Sequence, residues 1–283
     1  MEIIITEYLG YCFGVKRALK LTGEVINNNR HKNKKIFTFG SIINNPGVTE
    51  ELSKKGLISV QDISEIEKNS IFIIRSHGMS PDIINKIREK YEPEIIDTTC
   101  PFVKKAQARA KALSQKGCFV VIIGNKNHPE VLGIRGYILN KNYMIVEDEK
   151  DIKTIPQNKK IGVVIQTTQT KEKLLLITGR LLEKTRELLI YNTICDITGK
   201  KQDSTKKLAE NTDIMIIVGG KNSANTSHLA EISREINNST YHIESFQEIK
   251  PAWFRNKKRA GISGGASTPV KDLIDVKKAI EKL

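Results

Sequence analysis

Leu9-Gly10-Tyr11-Cys12-Phe13-Gly14-Val15-Lys16-Arg17-Ala18 follows an apolar run, Ile3-Ile4-Ile5, and opens a basic segment with helical spacing. The order strand, glycine-flanked cysteine, helix puts a thiol where helix-end amides favour a thiolate, placed to bind metal or to react. A small buried core residue is the other reading. The arrangement recurs. Asp97-Thr98-Thr99-Cys100-Pro101-Phe102-Val103-Lys104-Lys105-Ala106 again leads from an apolar pair, Ile95-Ile96, through a cysteine into a basic helix, and both copies share Cys-x-x-Val-Lys-Arg/Lys-Ala. Asn192-Thr193-Ile194-Cys195-Asp196-Ile197-Thr198-Gly199-Lys200-Lys201 is a looser third copy. With these cysteines about ninety residues apart, the chain reads as three similar α/β units in a pseudo-threefold arrangement. The units are 14–99, 100–194, and 195–283 joined by 1–13.

Between the cysteines, strands are expected at 3–5, 36–39, 70–74, 118–123, 143–146, 161–165, 214–218, 241–243 and 260–263. Helices are expected at 14–29, from about Val48, through Lys86, at 102–115, behind Thr170 and at 199–211, with a helix or turn after Glu130. Each apolar strand ends in a polar loop, and parallel α/β sheets gather ligand groups at those carboxyl ends. Gly40-Ser41, Ser76-His77-Gly78, Ser223-Ala224-Asn225 and Ala266-Ser267-Thr268 supply neutral donors suited to phosphate oxygens at helix N-termini. Helix capping is the competing use of the same residue types. His128-Pro129-Glu130 offers a proton donor and a relay, or else a solvated pair. The Thr167 hydroxyl can pass that proton onward or orient a substrate oxygen. His31, beside Lys32 and Lys34, reads as an exposed loop residue, and His228 and His242 as structural. Cys118 begins Cys118-Phe119-Val120-Val121-Ile122-Ile123, a buried strand, and reads as core packing.

The chain has 283 residues, 39% hydrophobic and 28% charged, which suits a globular protein with a sizeable core. No apolar run approaches the ~20 residues of a membrane span, and the opening residues lack a signal peptide's basic start and long apolar centre. A cytoplasmic protein is expected, and in that compartment the four cysteines serve as ligands, nucleophiles or core rather than disulfides. Net charge is +14, but the lysines are scattered and aromatics make up only 6%, without a stacking platform for nucleic acid. Three thiolates can hold a [4Fe–4S] cluster by three corners and leave the fourth iron open. A Cys3His zinc site with His77 or His128, in a nucleic-acid-binding protein, is the alternative from another class.

Eight segments in order from residue 10 to 269 resemble the 4-hydroxy-3-methylbut-2-enyl diphosphate reductase family, known as LytB. They are Gly10-Tyr11-Cys12-Phe13-Gly14-Val15, Arg75-Ser76-His77-Gly78, Asp97-Thr98-Thr99-Cys100-Pro101, His128-Pro129-Glu130-Val131, Gln166-Thr167-Thr168, Asn192-Thr193-Ile194-Cys195, Lys221-Asn222-Ser223 with Asn225, and Gly265-Ala266-Ser267-Thr268-Pro269. The resemblance implies a three-lobed α/β protein with a central oxygen-sensitive [4Fe–4S] cluster on Cys12, Cys100 and Cys195. It implies reductive removal of a hydroxyl as water, giving isopentenyl and dimethylallyl diphosphate in the last step of the non-mevalonate isoprenoid route. By position, Glu130 would deliver the proton, with Thr167 and His128 in its relay, and His77, His128, Ser223, Asn225 and Ser267 would hold the diphosphate. Its implied partners are that diphosphate and a ferredoxin or flavodoxin electron donor, with neither nucleic acid nor membrane. Two positions depart from the family pattern: Asn44, where a histidine is usual before Asn45, and Ala224, where the family has the second of two serines. Those departures leave open an iron–sulfur reductase acting on another phosphorylated alcohol.

Overall fold

The computed structural model describes residues 1–28, 34–140 and 142–283; His31 lies outside the described residues. The chain begins with β1 (Glu2–Ile5) and α1 (Phe13–Asn27), then β2 (Ile36–Phe39), α2 (Pro46–Lys54), β3 (Leu57–Val60), β4 (Ile71–Ile74), α3 (Pro81–Tyr91) and β5 (Glu94–Asp97). The middle third runs α4 (Pro101–Gln115), β6 (Phe119–Ile123), α5 (Pro129–Arg135), β7 (Tyr143–Val146), α6 (Glu149–Ile152), β8 (Asn158–Ile165), α7 (Lys171–Leu181) and β9 (Thr185–Tyr191). The last third is α8 (Asp196–Glu210), β10 (Ile214–Val218), α9 (Ala224–Ile236), β11 (Thr240–Ile243), β12 (Arg259–Gly264) and α10 (Val270–Glu281).

These strands form three four-stranded parallel sheets, ordered β3-β2-β4-β5, β7-β6-β8-β9 and β11-β10-β12-β1. The order is the same in each, and the N-terminal strand takes the outer place in the third. The expected α/β class with three similar units is what the structure has. The chain divides into two compact units, one of Met1–Lys16, Asn44–Thr49 and Asp196–Leu283, the other of Arg17–Ile43 and Glu50–Cys195.

The central strands were readable because both of their faces are covered. Along β6, Val121 and Ile123 pack with Leu174 and Ile177 of α7, while Val120 and Ile122 pack with Ala106, Ala110 and Leu113 of α4 and Val131 and Ile134 of α5. Along β10, Ile214, Ile216 and Val218 meet Leu273, Val276 and Ile280 of α10, and Met215 and Ile217 meet Leu208 of α8 and Leu229 of α9. Cys118, fully buried just ahead of β6, belongs to the core as expected.

Three readings need correction. β3 and β9 were not expected; both are outer strands, Ser59 interrupts β3, and in β9 the exposed Arg186 and Glu187 precede the run Leu188-Leu189-Ile190-Tyr191, as charged residues on an edge commonly do. The helix expected to run through Lys86 continues to Tyr91, where Glu92 turns left-handed with φ 48° and ends it.

The loop after β10 depends on backbone geometry that only glycine adopts easily. Gly219 has φ +140°, and a Cβ there would run into Thr268 Oγ1 and lie 3.0 Å from Thr226 Oγ1. Gly219→Ala is expected to cost about 1–3 kcal/mol, read as a lower urea midpoint; an unchanged midpoint would show that the loop relaxes freely.

Candidate active site

The three cysteine turns are built alike. The Cys12 N–H donates to the Ala266 carbonyl at 3.0 Å, the Cys100 N–H to Ser76 at 2.9 Å and the Cys195 N–H to Thr167 at 2.9 Å. Each acceptor stands two residues beyond the end of a strand: β12, β4 and β8. The sequence repeat therefore becomes a repeated backbone lock between a cysteine and the neighbouring strand's polar loop. Each cysteine directly precedes or lies next to the first residue of a helix, α1, α4 or α8, and each is half-buried. The Val15 N–H points at Cys12 Sγ at 3.4 Å, in the manner of a helix cap. Four cysteines form no disulfide. Cys100 makes no side-chain cap bond to α4, and among the described residues no group of three or more His, Cys, Asp or Glu side chains is arranged to hold a metal ion. By donor chemistry alone, an all-sulfur set of Cys12, Cys100 and Cys195 suits iron–sulfur ligation.

One compact unit holds the acid. Glu130 enters the first turn of α5 behind Pro129, and His128 caps that helix, its Nδ1 accepting from the Glu130 N–H at 3.2 Å. With Nδ1 accepting, Nε2 is the ring nitrogen that carries a proton. The Glu130 carboxyl is 2% exposed and is gripped from β8's end, Oε1 accepting from the Thr167 N–H at 2.6 Å and Oε2 from the Thr167 hydroxyl at 2.8 Å. Burial pushes its pKa up to about 7, against the downward pull of both Thr167 bonds. A carboxylic acid that stays half protonated at neutral pH is a proton donor. The solvated-pair reading of His128 and Glu130 is thereby overturned.

His77 joins this group because α5 comes close to the loop after β4. Gly136 permits the approach, since a Cβ there would lie 2.6 Å from Ser80 Cβ. The His77 and His128 rings meet edge-on with centroids 5.4 Å apart. Burial holds the His77 ring well below the ordinary histidine range, and His128 and Arg75 push in the same direction. Its Nδ1 is enclosed without a partner among the described residues.

The other compact unit gathers the phosphate-type donors. Ser267 Oγ donates to the Asn44 carbonyl at 3.0 Å, and Asn44 Nδ2 donates to the Asn222 carbonyl at 3.3 Å. Asn45 is the more deeply seated of the pair: its Nδ2 donates to the Ser267 carbonyl at 2.9 Å, and its Oδ1 accepts from the Val48 N–H at 3.1 Å. Sequence reasoning gave Asn45 no role, although its place ahead of Pro46 at a helix start was the available signal. Ser223 does cap α9, its Oγ accepting from the Thr226 N–H at 3.4 Å, and Ala224 is the helix's first residue. Asn225 is not used for capping. It is 4% exposed, and both its Oδ1 and its Nδ2 lack a partner among the described residues. An amide buried with neither end satisfied is costly unless something else binds it. His242 Nε2 bonds the Gly219 carbonyl at 2.9 Å, a structural role as expected.

Repeated parallel sheets, alike cysteine turns and a buried carboxylic acid define an α/β protein of three similar units. The family profile described as LytB protein matches residues 3–281. The chain is 42% identical to the 4-hydroxy-3-methylbut-2-enyl diphosphate reductase of Aquifex aeolicus, over all of this chain and 97% of that protein. It is 43% identical to the enzyme of that name from Geotalea daltonii, over all of this chain and 98% of the relative. A solved structure of (E)-4-hydroxy-3-methyl-but-2-enyl diphosphate reductase, described as the terminal enzyme of the non-mevalonate pathway, matches over the full length of both chains with 42% identity and a TM-score of 0.71. The E-1-hydroxy-2-methyl-but-2-enyl-4-diphosphate reductase of Plasmodium falciparum matches all of this chain and 87% of its own with 27% identity and a TM-score of 0.90. The chain belongs to the LytB family of 4-hydroxy-3-methylbut-2-enyl diphosphate reductases.

Proposed function

We propose that this chain reduces (E)-4-hydroxy-3-methylbut-2-enyl diphosphate to isopentenyl and dimethylallyl diphosphate, with a [4Fe–4S] cluster on Cys12, Cys100 and Cys195 and with Glu130 as the proton source. The observation that carries the reading is the Glu130 carboxyl, buried, half protonated near neutrality and held by two donors from Thr167. The repeated backbone lock on the three cysteines supports their common role. When bound, the cluster would supply electrons and a Lewis-acidic iron with one open position.

The chain's own groups do the rest. Glu130 hands its proton to the departing hydroxyl, so that water leaves in place of hydroxide. The Thr167 N–H and hydroxyl stay bonded to the carboxylate left behind and stabilise it. His128 fixes the turn that carries Glu130. His77, His128, Ser223, Asn225 and Ser267 hold the diphosphate. Asn225 brings two unused hydrogen-bonding atoms to that task. The electron donor is a ferredoxin or flavodoxin, whose acidic surface would suit the exposed Lys16, Lys105 and Lys200 at the starts of the cysteine helices. Among the described residues no helix is long and apolar enough to cross a membrane, and we place the chain in the cytoplasm.

The deciding experiment is anaerobic turnover of the hydroxymethylbutenyl diphosphate with dithionite-reduced viologen. An iron-loaded chain that yields neither product overturns the proposal.

Asn44 and Ala224 mark where this pocket differs. A lost charge-assisted hydrogen bond costs about 1.5–3 kcal/mol and a neutral one about 1. Asn44→His is expected to lower KM by about tenfold or more with little change in kcat. An unchanged KM would instead favour a pocket shaped for another phosphorylated alcohol.

A further inference from the structure

Three cations link the cysteine turns in a way the repeat alone does not reveal. Arg17, in the helix after Cys12, donates from Nη1 to the Thr99 carbonyl at 3.2 Å and from Nη2 to the Asp97 carbonyl at 3.5 Å, just ahead of Cys100. Arg109, in the helix after Cys100, sets its guanidinium 4.6 Å from the ring centroid of Tyr191, shortly ahead of Cys195. Lys201, in the helix after Cys195, donates from Nζ to the Tyr8 carbonyl at 2.6 Å, shortly ahead of Cys12, and to the Gly264 carbonyl at 3.2 Å. The series runs from the first cysteine to the second, the second to the third, and the third back to the first.

We infer that Arg17, Arg109 and Lys201 are latches, each holding the approach to one cysteine turn from the helix behind another. These are positioning residues; none is assigned contact with substrate.

One physical point supports this. Lys201 is expensive where it sits: it is 2% exposed. Its hydrogen-bond partners are backbone carbonyls, and among the described residues neither it nor Arg17 pairs with a carboxylate. An ammonium buried this way needs an anion to offset its lost hydration. Three thiolates around an iron–sulfur group would be that anion, and this electrostatic part rests on the proposed cluster. The latching contacts do not. They escaped the sequence repeat because the cations stand at three different distances past their cysteines.

The test uses the full-length chain purified anaerobically, with Arg17→Met, Arg109→Met and Lys201→Met beside the conservative Arg17→Lys and Lys201→Arg. Backbone amide exchange is read segment by segment. Arg17→Met is expected to speed exchange about tenfold over 97–100 while leaving 8–12 and 191–195 unchanged. Arg109→Met does the same for 191–195, and Lys201→Met for 8–12. The conservative variants restore most of the protection, and all three methionine variants release iron to a chelator faster. Faster exchange spread over the whole chain, or confined to the mutated helix, overturns the inference, as does no change. If Lys201→Met does not fold, Lys201→Arg decides that arm by keeping or losing protection over 8–12. A chain that holds no iron but shows this exchange pattern keeps the latches and loses the proposed function.

Discussion

Glu130→Gln lowers anaerobic turnover by about 10²–10⁴-fold, the range for a lost general acid, while the chain keeps its fold and its iron. The amide is close in shape. Its oxygen still accepts from the Thr167 N–H, and its NH2 now donates to the Thr167 hydroxyl in place of the reverse bond. The same variant reports on pH. The native pKa of about 7 stands above the ordinary 4.5, so between those values the folded state holds a proton that the unfolded state has lost. Stability therefore falls as pH rises through that window, by about 3 kcal/mol in total. Glu130→Gln removes this slope: above pH 7 its urea midpoint exceeds that of the wild type, and below pH 4.5 the advantage is gone. Wild-type turnover declines in parallel as pH passes about 7 and the acid ionises. Equal turnover in the two proteins, or a stability difference that does not vary with pH, would remove Glu130 from its role.

Cys100→Ser is the second large effect. The chain loses its iron and its brown colour, and turnover falls by about 10³-fold or more, because the several kcal/mol of Lewis-acid assistance go with the metal. The fold persists, since serine serves well at the N-cap position that Cys100 occupies ahead of Pro101. Cys12→Ser and Cys195→Ser behave alike. Cys118→Ala gives the contrast: it leaves a small hole in the α4–β6 core, costs about 1 kcal/mol, and keeps iron and activity. Iron assays on the four anaerobically purified variants make the comparison. Iron retained by Cys100→Ser, or lost by Cys118→Ala, would contradict the assignment.

The three cysteine turns could be read from the chain because each is a local event. An apolar strand, a cysteine and a helix start occupy one continuous stretch, so Cys12, Cys100 and Cys195 declare themselves without any knowledge of the fold. The central strands are equally readable, because burial on both faces leaves Val and Ile with no polar interruption. β3 and β9 were less legible because they are outer strands: β3 is four residues long with Ser59 within it, and β9 opens on the exposed Arg186 and Glu187. His128-Pro129-Glu130 was visible as a motif, but its chemistry was not. The same three residues on an open surface would be an ordinary solvated pair.

Sequence by itself determined the α/β class, the threefold repetition of units, the equivalence of three cysteines and the separate standing of Cys118, since these depend on residue order within short segments. Tertiary structure alone decided that Glu130 is an acid near neutrality, because its pKa comes from burial and from Thr167, a residue far along the chain. It alone left Asn225 with two unused polar atoms and sent Arg17, Arg109 and Lys201 to distant cysteine turns. The reason is the same throughout. Secondary structure follows from neighbours in sequence, whereas protonation, unsatisfied polar groups and positioning contacts follow from neighbours in space.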